Sequence, residues 1–252
     1  MKKVFLTRLD ELFEMHLPKK YYEKNEDITE EGLIGGYVHG NEPSHHIPYL
    51  YAWTSQPWKT QFWTREIIDR MYRNDINGLG GNDDCGQMSA WYMFTVMGFY
   101  PVCPGTDQYV LGAPYFPYLK LRLPNGNILE IKAEGVSDTR RYVQSLTING
   151  KKYDKLYITH ADLLKGGVWE FKMGTSPNKK KGQKAENKPY FINKLESNSM
   201  KAQLLLAGII LGMSGISACT GNKKNVMTEK ETMEVWKDYP VGHIVFDDQA
   251  PE

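Results

Sequence analysis

The chain has 252 residues, with 31 Lys plus Arg against 30 Asp plus Glu. A net charge this close to zero does not suggest the basic patch that binding to a phosphate backbone needs, so no nucleic-acid partner is expected. At 41% hydrophobic and 24% charged, the composition is that of an ordinary globular chain of one large or two small domains.

The first element is a helix. Val4, Phe5, Leu9, Leu12 and Phe13 fall at helical spacing. Arg8, Asp10 and Glu11 interrupt the apolar run, so the stretch does not read as a secretory signal but as a domain helix joined midway. Pro48 then introduces "YLYAW", which predicts a second helix from Tyr49 to Trp53. "TQFWTREIIDRMY" places Phe62, Trp63, Ile67, Ile68 and Met71 on one helical face. A further apolar helix runs from Gly86 to Met97, and Gly98 stops it.

After Pro104 the period changes to two. Leu119, Leu121 and Leu123 alternate with Lys120 and Arg122, and Asn125-Gly126 is a hairpin turn signal before Ile128 to Ile131. Asn149-Gly150 repeats the scheme, and "GVWEFKMG" is one more strand. The expected fold class is α+β: helices over residues 1–105, then antiparallel strands of a β-sandwich over 106–181.

Two glycine-flanked stretches carry acids. "GGNDDCG" places Asn82, Asp83 and Asp84 between a glycine-rich loop and a helix. A carboxylate there accepts backbone N–H bonds and feels the positive helix end, so its pKa is expected to fall. Such a group serves either as a helix cap or as a general base that activates water. "HGNEP" puts Asn41 and Glu42 before a proline, and Glu and Asn oxygens are hard ligands suited to calcium. His45 and His46 are adjacent and cannot form a zinc pair of the HExxH type; each reads first as a hydrogen-bonded structural residue, with a sugar hydroxyl as the alternative partner. The chain holds 16 Tyr and 6 Trp, densest between Tyr37 and Tyr118. These rings form a core, a sugar-stacking surface, or both. Acids in glycine loops set among Tyr37, Tyr49, Trp53, Trp58, Trp63 and Trp91 fit carbohydrate hydrolysis, which needs an acid and a base across the scissile bond. No P-loop and no GxSxG elbow occurs, so nucleotide hydrolysis and serine hydrolysis are not supported. Cys85, Cys103 and Cys219 make no CxxC pair, which argues against zinc. Cys85 and Cys103 would form a disulfide only if the fold brought them together.

"GYVHGNEPSHHIPYLYAWTSQPWKTQ" and "GLGGNDDCGQMSAWYMFTVMGFYPVCPG", together with the later "YVLGAPYFPYLKLRLPNG", resemble the calcium-dependent exo-α-mannosidases of glycoside hydrolase family 92. The resemblance covers residues 1–181, the C-terminal part of such an enzyme. It implies part of an (α/α)6 barrel packed with a β-sandwich, and single-displacement, inverting hydrolysis of terminal α-mannosides in mannose-containing glycans. It implies a Ca2+ ion that grips the mannose ring through O2 and O3. Asp84 matches the general base, with Asp83 a weaker second candidate; position 82, often Asp in relatives, is Asn82 here. Glu42 matches a calcium ligand, and Asn41, His45, Asn82 and Trp91 are the expected substrate-binding neighbours. The family's general acid is an upstream glutamate for which residues 1–37 hold no matching motif, so the chain is expected to be inactive alone. By family, it is expected in a bacterial periplasm or at the cell surface.

Residues 182–199 read as a polar linker. "MKAQLLLAGIILGMSGISAC", residues 200–219, has the layout of a lipoprotein signal ending at a lipidation candidate, Cys219. Its apolar core is shorter than the roughly 20 residues that span a bilayer. This segment reads as the start of an unrelated lipoprotein joined to the first frame, with residues 220–252 unassigned, and membrane attachment is expected only if that signal is used. Two further readings stand beside the hydrolase: a non-catalytic carbohydrate-binding module built on the strands, and a lipid-anchored envelope protein.

Overall fold

The computed structural model describes residues 2–24, 30–103 and 105–191. The lipoprotein-type signal, Cys219 and the tail lie outside the described residues. None of the described helices is long and apolar enough to cross a membrane.

The helical part is built on α1 (Lys2–Glu14), α2 (Trp58–Met71) and α3 (Gln87–Met97). The buried stripe of α1 is Leu6, Leu9 and Phe13, while Val4 and Phe5, expected on it, are exposed. Trp63 of α2 stacks on Phe13 with ring centroids 4.4 Å apart. The segment after Pro48 is not the α-helix predicted but a 3-10 helix over Ile47–Trp53. Its backbone turns tightly enough to bury Tyr49 and Tyr51 together, and both hydroxyls find partners, Thr95 and Asp10. Gly98 closes α3 as expected, in the left-handed region, with its amide on the Phe94 and Thr95 carbonyls. A short antiparallel pair, β1 (Leu33–Ile34) and β2 (Tyr37–Val38), leads into the acidic loop at Gly40.

The strands follow: β3 (Phe99–Tyr100), β4 (Gln108–Leu111), β5 (Tyr118–Arg122), β6 (Ile128–Glu134), β7 (Tyr142–Ile148), β8 (Lys151–Lys152), β9 (Tyr157–Thr159) and, after the short helix α4 (His160–Leu163), β10 (Gly167–Gly174). One sheet has the order β5-β6-β10-β7-β8 and a second β3-β4-β9. Both predicted hairpins form, β5 with β6 and β7 with β8. The turn of the second has Asn149 at φ +51° and Gly150 at φ +74°, the mirror-image geometry that matches strand twist. The larger sheet is mixed, which corrects the purely antiparallel expectation. β10 inserts between the hairpins, antiparallel to β7 but parallel to β6 from Gly167 opposite Leu129 to Lys172 opposite Glu134. The long path through β7, β8, β9 and α4 supplies the crossover a parallel pair requires. Both sheets share one core, with Phe99, Leu111 and Ile158 from the smaller packed with Leu129, Ile131, Trp169 and Phe171 from the larger.

α2 joins the two layers through its polar side. Gln61 Oε1 accepts the Val143 amide at 2.9 Å in a buried contact, and Arg141 pairs with Glu66. A buried amide acceptor is tolerated there because it takes up a donor the sheet leaves open. Residues 182–189, expected to open a linker, are tethered at several positions, with Gly182 and Pro189 buried and 183–186 exposed. The Leu156 amide bonds the Asn187 carbonyl, and Lys188 Nζ reaches the Thr54 carbonyl at the end of the 3-10 helix. No disulfide joins Cys85 to Cys103.

Candidate active site

Two loops meet backbone to backbone. The first, after β2, carries Gly40, Asn41 and Glu42, and Glu42 opens a 3-10 turn with Pro43 fixing its geometry. The second carries Gly78, Gly80 and Gly81 and runs into α3; its Gly80 amide bonds the Met71 carbonyl and Leu79 bridges Tyr72. A Cβ on Gly81 would lie 2.4 Å from Gly40 Cα, and one on Gly40 would lie 2.9 Å from the Gly80 carbonyl oxygen. No side chain fits between the loops, so only glycine permits this approach.

The contact brings Glu42 and Asp84 together. Their carboxyl groups hydrogen-bond, and that bond, followed by the charge of Glu42, raises the Asp84 pKa. This corrects the expectation that the helix end would lower it. Asp84 lies at the entrance to α3 but does not cap it, because Asp84, Cys85 and Gly86 all have positive φ, +32°, +59° and +83°. That left-handed run turns the Asp84 carboxylate out of the helix axis and toward Glu42. A non-glycine residue held there costs on the order of 1–3 kcal/mol, and such strain clusters at functional sites.

Asp83 does the capping. Its Oδ1 accepts the Ser89 amide at 2.9 Å and its Oδ2 the Ser89 hydroxyl at 2.8 Å. Both oxygens of Asp83, the weaker general-base candidate of the sequence, are thus engaged at the start of α3, which sets it apart from Asp84. Asn41 and Asn82 are exposed beside the pair. His46 is exposed as well.

His45 and Trp91 are not at the surface. Trp91 is fully buried and its Nε1–H donates to the His45 carbonyl at 3.0 Å. His45 is buried too; its Nε2 donates to the His39 carbonyl at 2.9 Å and its Nδ1 faces Gln87 Nε2 at 3.3 Å. Neither ring presents a face or an edge to a sugar, so the substrate-contact roles expected for them are replaced by packing roles. Of the aromatic set, Tyr37 and Tyr49 are equally buried, while Trp53, Trp58 and Trp63 keep partial exposure.

His39 was not singled out by the sequence. It is completely buried, with Nδ1 2.8 Å from the Tyr37 hydroxyl and Nε2 2.7 Å from the Tyr72 hydroxyl. Tyr72 spends its own proton on the Met88 carbonyl at 3.0 Å. The proton between His39 and Tyr72 therefore sits on Nε2, and Nδ1 accepts from Tyr37. Burial, and then the neighbouring His45, hold the His39 pKa well below the ordinary imidazole value. Burial lowers His45 in the same direction, partly offset by its bond to the His39 carbonyl.

The donor set at the loop contact is oxygen only: Glu42, Asp84 and the nearby Asn41 and Asn82. Two neighbouring carboxyl groups beside amide oxygens are the kind of donor set a hard cation takes. Among the described residues no group of three or more His, Cys, Asp or Glu side chains is arranged to hold a metal. Calcium, which takes roughly six to eight oxygens, would therefore draw its remaining ligands from backbone, water or substrate. A separate groove of about 770 Å³ lies on another side of α3, lined by residues including Ile68, Tyr72, Leu79, Tyr92 and Tyr115. It does not include Glu42 or Asp84.

Comparison with known proteins bears on this arrangement. A curated relative described as an uncharacterized secreted glycosidase, from Arthroderma benhamiae, is 30% identical over 138 residues, 54% of this chain and 18% of that protein. A family GH92 α-mannosidase from Bacteroides thetaiotaomicron, solved in complex with mannoimidazole, is 45% identical with a TM-score of 0.71 over 76% of this chain and 25% of its own. A family GH92 inverting mannosidase from the same organism is 34% identical, with a TM-score of 0.64 over 75% of this chain and 26% of its own. The chain thus spans about a quarter or less of the length of these relatives. The family model for the glycosyl hydrolase family 92 catalytic domain matches residues 2–175, well over half of the sequence, and the chain belongs to that family.

Proposed function

We propose that this chain carries the general-base and cation-binding portion of an inverting exo-α-mannosidase acting on mannose-containing glycans. The observation that carries the reading is the contact of Glu42 with Asp84 across Gly40 and Gly81. Inverting hydrolysis needs a carboxylate that takes a proton from water on one face of the sugar and an acid on the other. Asp84 is the base in this reading: exposed, turned out of α3 and unburdened by capping. Glu42, with Asn41, would hold a calcium ion. The ion would supply positive charge beside the two carboxylates and an anchor for vicinal sugar hydroxyls. Asn82 would contact substrate from the same loop. The three helices would form part of an (α/α)6 barrel, with the sheets as part of its β-sandwich.

The general acid is proposed to be a glutamate outside this chain. Without it, the rate should fall by about 10²–10⁴. The test is mannose release from α-mannobiose by the chain alone and by the chain fused to the upstream part of a related mannosidase, each with calcium and with chelator. Activity confined to the fusion, and lost with chelator or with Asp84→Ala, is the expected result. Full activity in the chain alone would place the acid among its own residues. A folded but inactive fusion that still binds mannosides would favour a carbohydrate-binding module.

A further inference from the structure

We propose that His39 is the positioning residue of this site, setting the separation of Glu42 and Asp84 through two hydrogen-bond routes that end on the same helix turn. The first route leaves its side chain. Nε2–H donates to Tyr72, whose hydroxyl donates to the Met88 carbonyl in the first turn of α3. The second leaves its backbone. The His39 carbonyl accepts from His45 Nε2, His45 Nδ1 accepts from the Gln87 amide group, and the Gln87 backbone N–H bonds the Asp83 and Asp84 carbonyls at 2.7 and 3.2 Å. Glu42 follows His39 by three residues, and Gln87 follows Asp84 by three. One residue therefore ties the loop of one acid to the loop of the other, from both its side chain and its main chain.

The ring is built for that task. It is fully buried, and its two nitrogens have different partners, Tyr37 and Tyr72, so only one tautomer satisfies all three groups. Trp91 meets it edge to face with centroids 4.4 Å apart and stacks on Tyr72, with Trp91 and Tyr72 ring planes within 7°. Polar networks of this kind, fully satisfied in a buried setting, select one arrangement among those an apolar core would allow. A leucine of similar bulk would fill the space and lose both side-chain bonds. A glutamine would put an amide nitrogen close to the Nε2 position and keep the bond to Tyr72.

The test uses the whole 252-residue chain and two readouts. One is binding of terbium(III) alone, and it rests on the reading of Glu42 as a cation ligand. The other is the carboxyl 13C shifts of Glu42 and Asp84 with no cation present, which report their mutual hydrogen bond and do not rest on that reading. His39→Leu is expected to weaken terbium binding about tenfold or more and to move both carboxyl shifts toward those of separate groups. His39→Gln is expected to recover most of both effects; a role in bulk packing alone would not predict that order. A folded His39→Leu with wild-type terbium affinity and wild-type carboxyl shifts overturns the proposal. If the wild-type chain binds no terbium, or Glu42→Gln binds as well as wild type, the cation reading fails, and the carboxyl shifts alone decide the positioning role. Should His39→Leu not fold, Tyr72→Phe replaces it under the same criteria, since it cuts the first route by one oxygen atom.

Discussion

The close approach of the two loops is the feature most open to a direct test. Gly81→Ala places a Cβ 2.4 Å from Gly40 Cα, against roughly 3.4 Å for the near limit of ordinary contact, so the loops must part by about 1 Å. The three atoms nearest that Cβ are all backbone atoms of Gly40, and no side chain can swing aside to absorb the clash. A parting of that size exceeds the tolerance of a carboxyl–carboxylate hydrogen bond, which weakens steeply beyond its optimal length. The Asp84 pKa, raised first by that bond, should fall back toward the ordinary aspartate value. Overpacking of this kind should also cost about 1–3 kcal/mol of stability. The assay is an NMR titration of the Asp84 carboxyl beside a thermal melt, with Gly126→Ala as control. Gly126 has positive φ, which Gly81 does not, but an added Cβ there meets nothing within 4 Å, and it turns a hairpin far along the chain. The control should lose about 1–2 kcal/mol from its strained backbone and leave Asp84 untouched. A folded Gly81→Ala whose Asp84 titrates as in the wild type would refute the claim that the glycine contact builds the acid pair.

Two further outcomes follow from the same geometry. His39 has a folded pKa well below its unfolded value of 6.5, so the unfolded state binds more protons as pH falls. Its contribution is therefore intact above about pH 6.5 and is lost below it at up to about 1.4 kcal/mol per pH unit, with His45 adding in the same direction; urea midpoints measured from pH 7.5 to 5 check this, and a slope unchanged in His39→Leu would contradict it. Asp83→Ala should cost about 1 kcal/mol by exposing the first turn of α3, whereas Asp83→Asn keeps an acceptor for Ser89 and should lose less, an order that melting temperatures read directly.

Much of the fold was legible in the sequence, and the failures share a cause. Helix and strand periods mark positions that alternate against one neighbour, and α3, β5, β6 and β10 appeared where the period placed them. Partner choice depends on contacts far along the chain. No local pattern says that β10 will slide between β6 and β7 and run parallel to one of them. The 3-10 helix at Ile47–Trp53 and α1 show the same limit from the other side, since their burial follows Asp10, Thr95 and Phe13 rather than their own spacing. At the site, the two acids that meet were readable as glycine-flanked carboxylates. The roles of the adjacent Asp83 and Asp84 divided on backbone dihedrals that composition does not encode: Asp83 caps while Asp84, with φ at +32°, points away. Tyr and Trp letters crowded near those acids looked like a stacking shelf. Trp91, Tyr37 and Tyr49 went inward instead, because each could bury its polar atom against a partner the fold supplies. The signal that would have singled out His39 is its place three residues before Glu42, between two tyrosines that only tertiary contact reveals.

Several unfavourable choices converge on one point of this molecule. Asp84 and Cys85 occupy left-handed backbone that costs free energy for side chains of their kind. Two carboxyl groups are held in contact, which raises the pKa of Asp84. Two histidines are kept neutral in the interior to hold the loops in place. The left-handed backbone and the paired carboxyl groups cost stability, whereas residues elsewhere in the core show the opposite habit, with apolar side chains such as Leu129, Ile131 and Leu146 fully buried. Strained backbone and facing carboxyl groups of this kind cluster where an external charge or a reacting group compensates. Under the proposed function that compensation is a calcium ion and a mannose ring, and the strain is what leaves Asp84 unpaired by the helix and available to water.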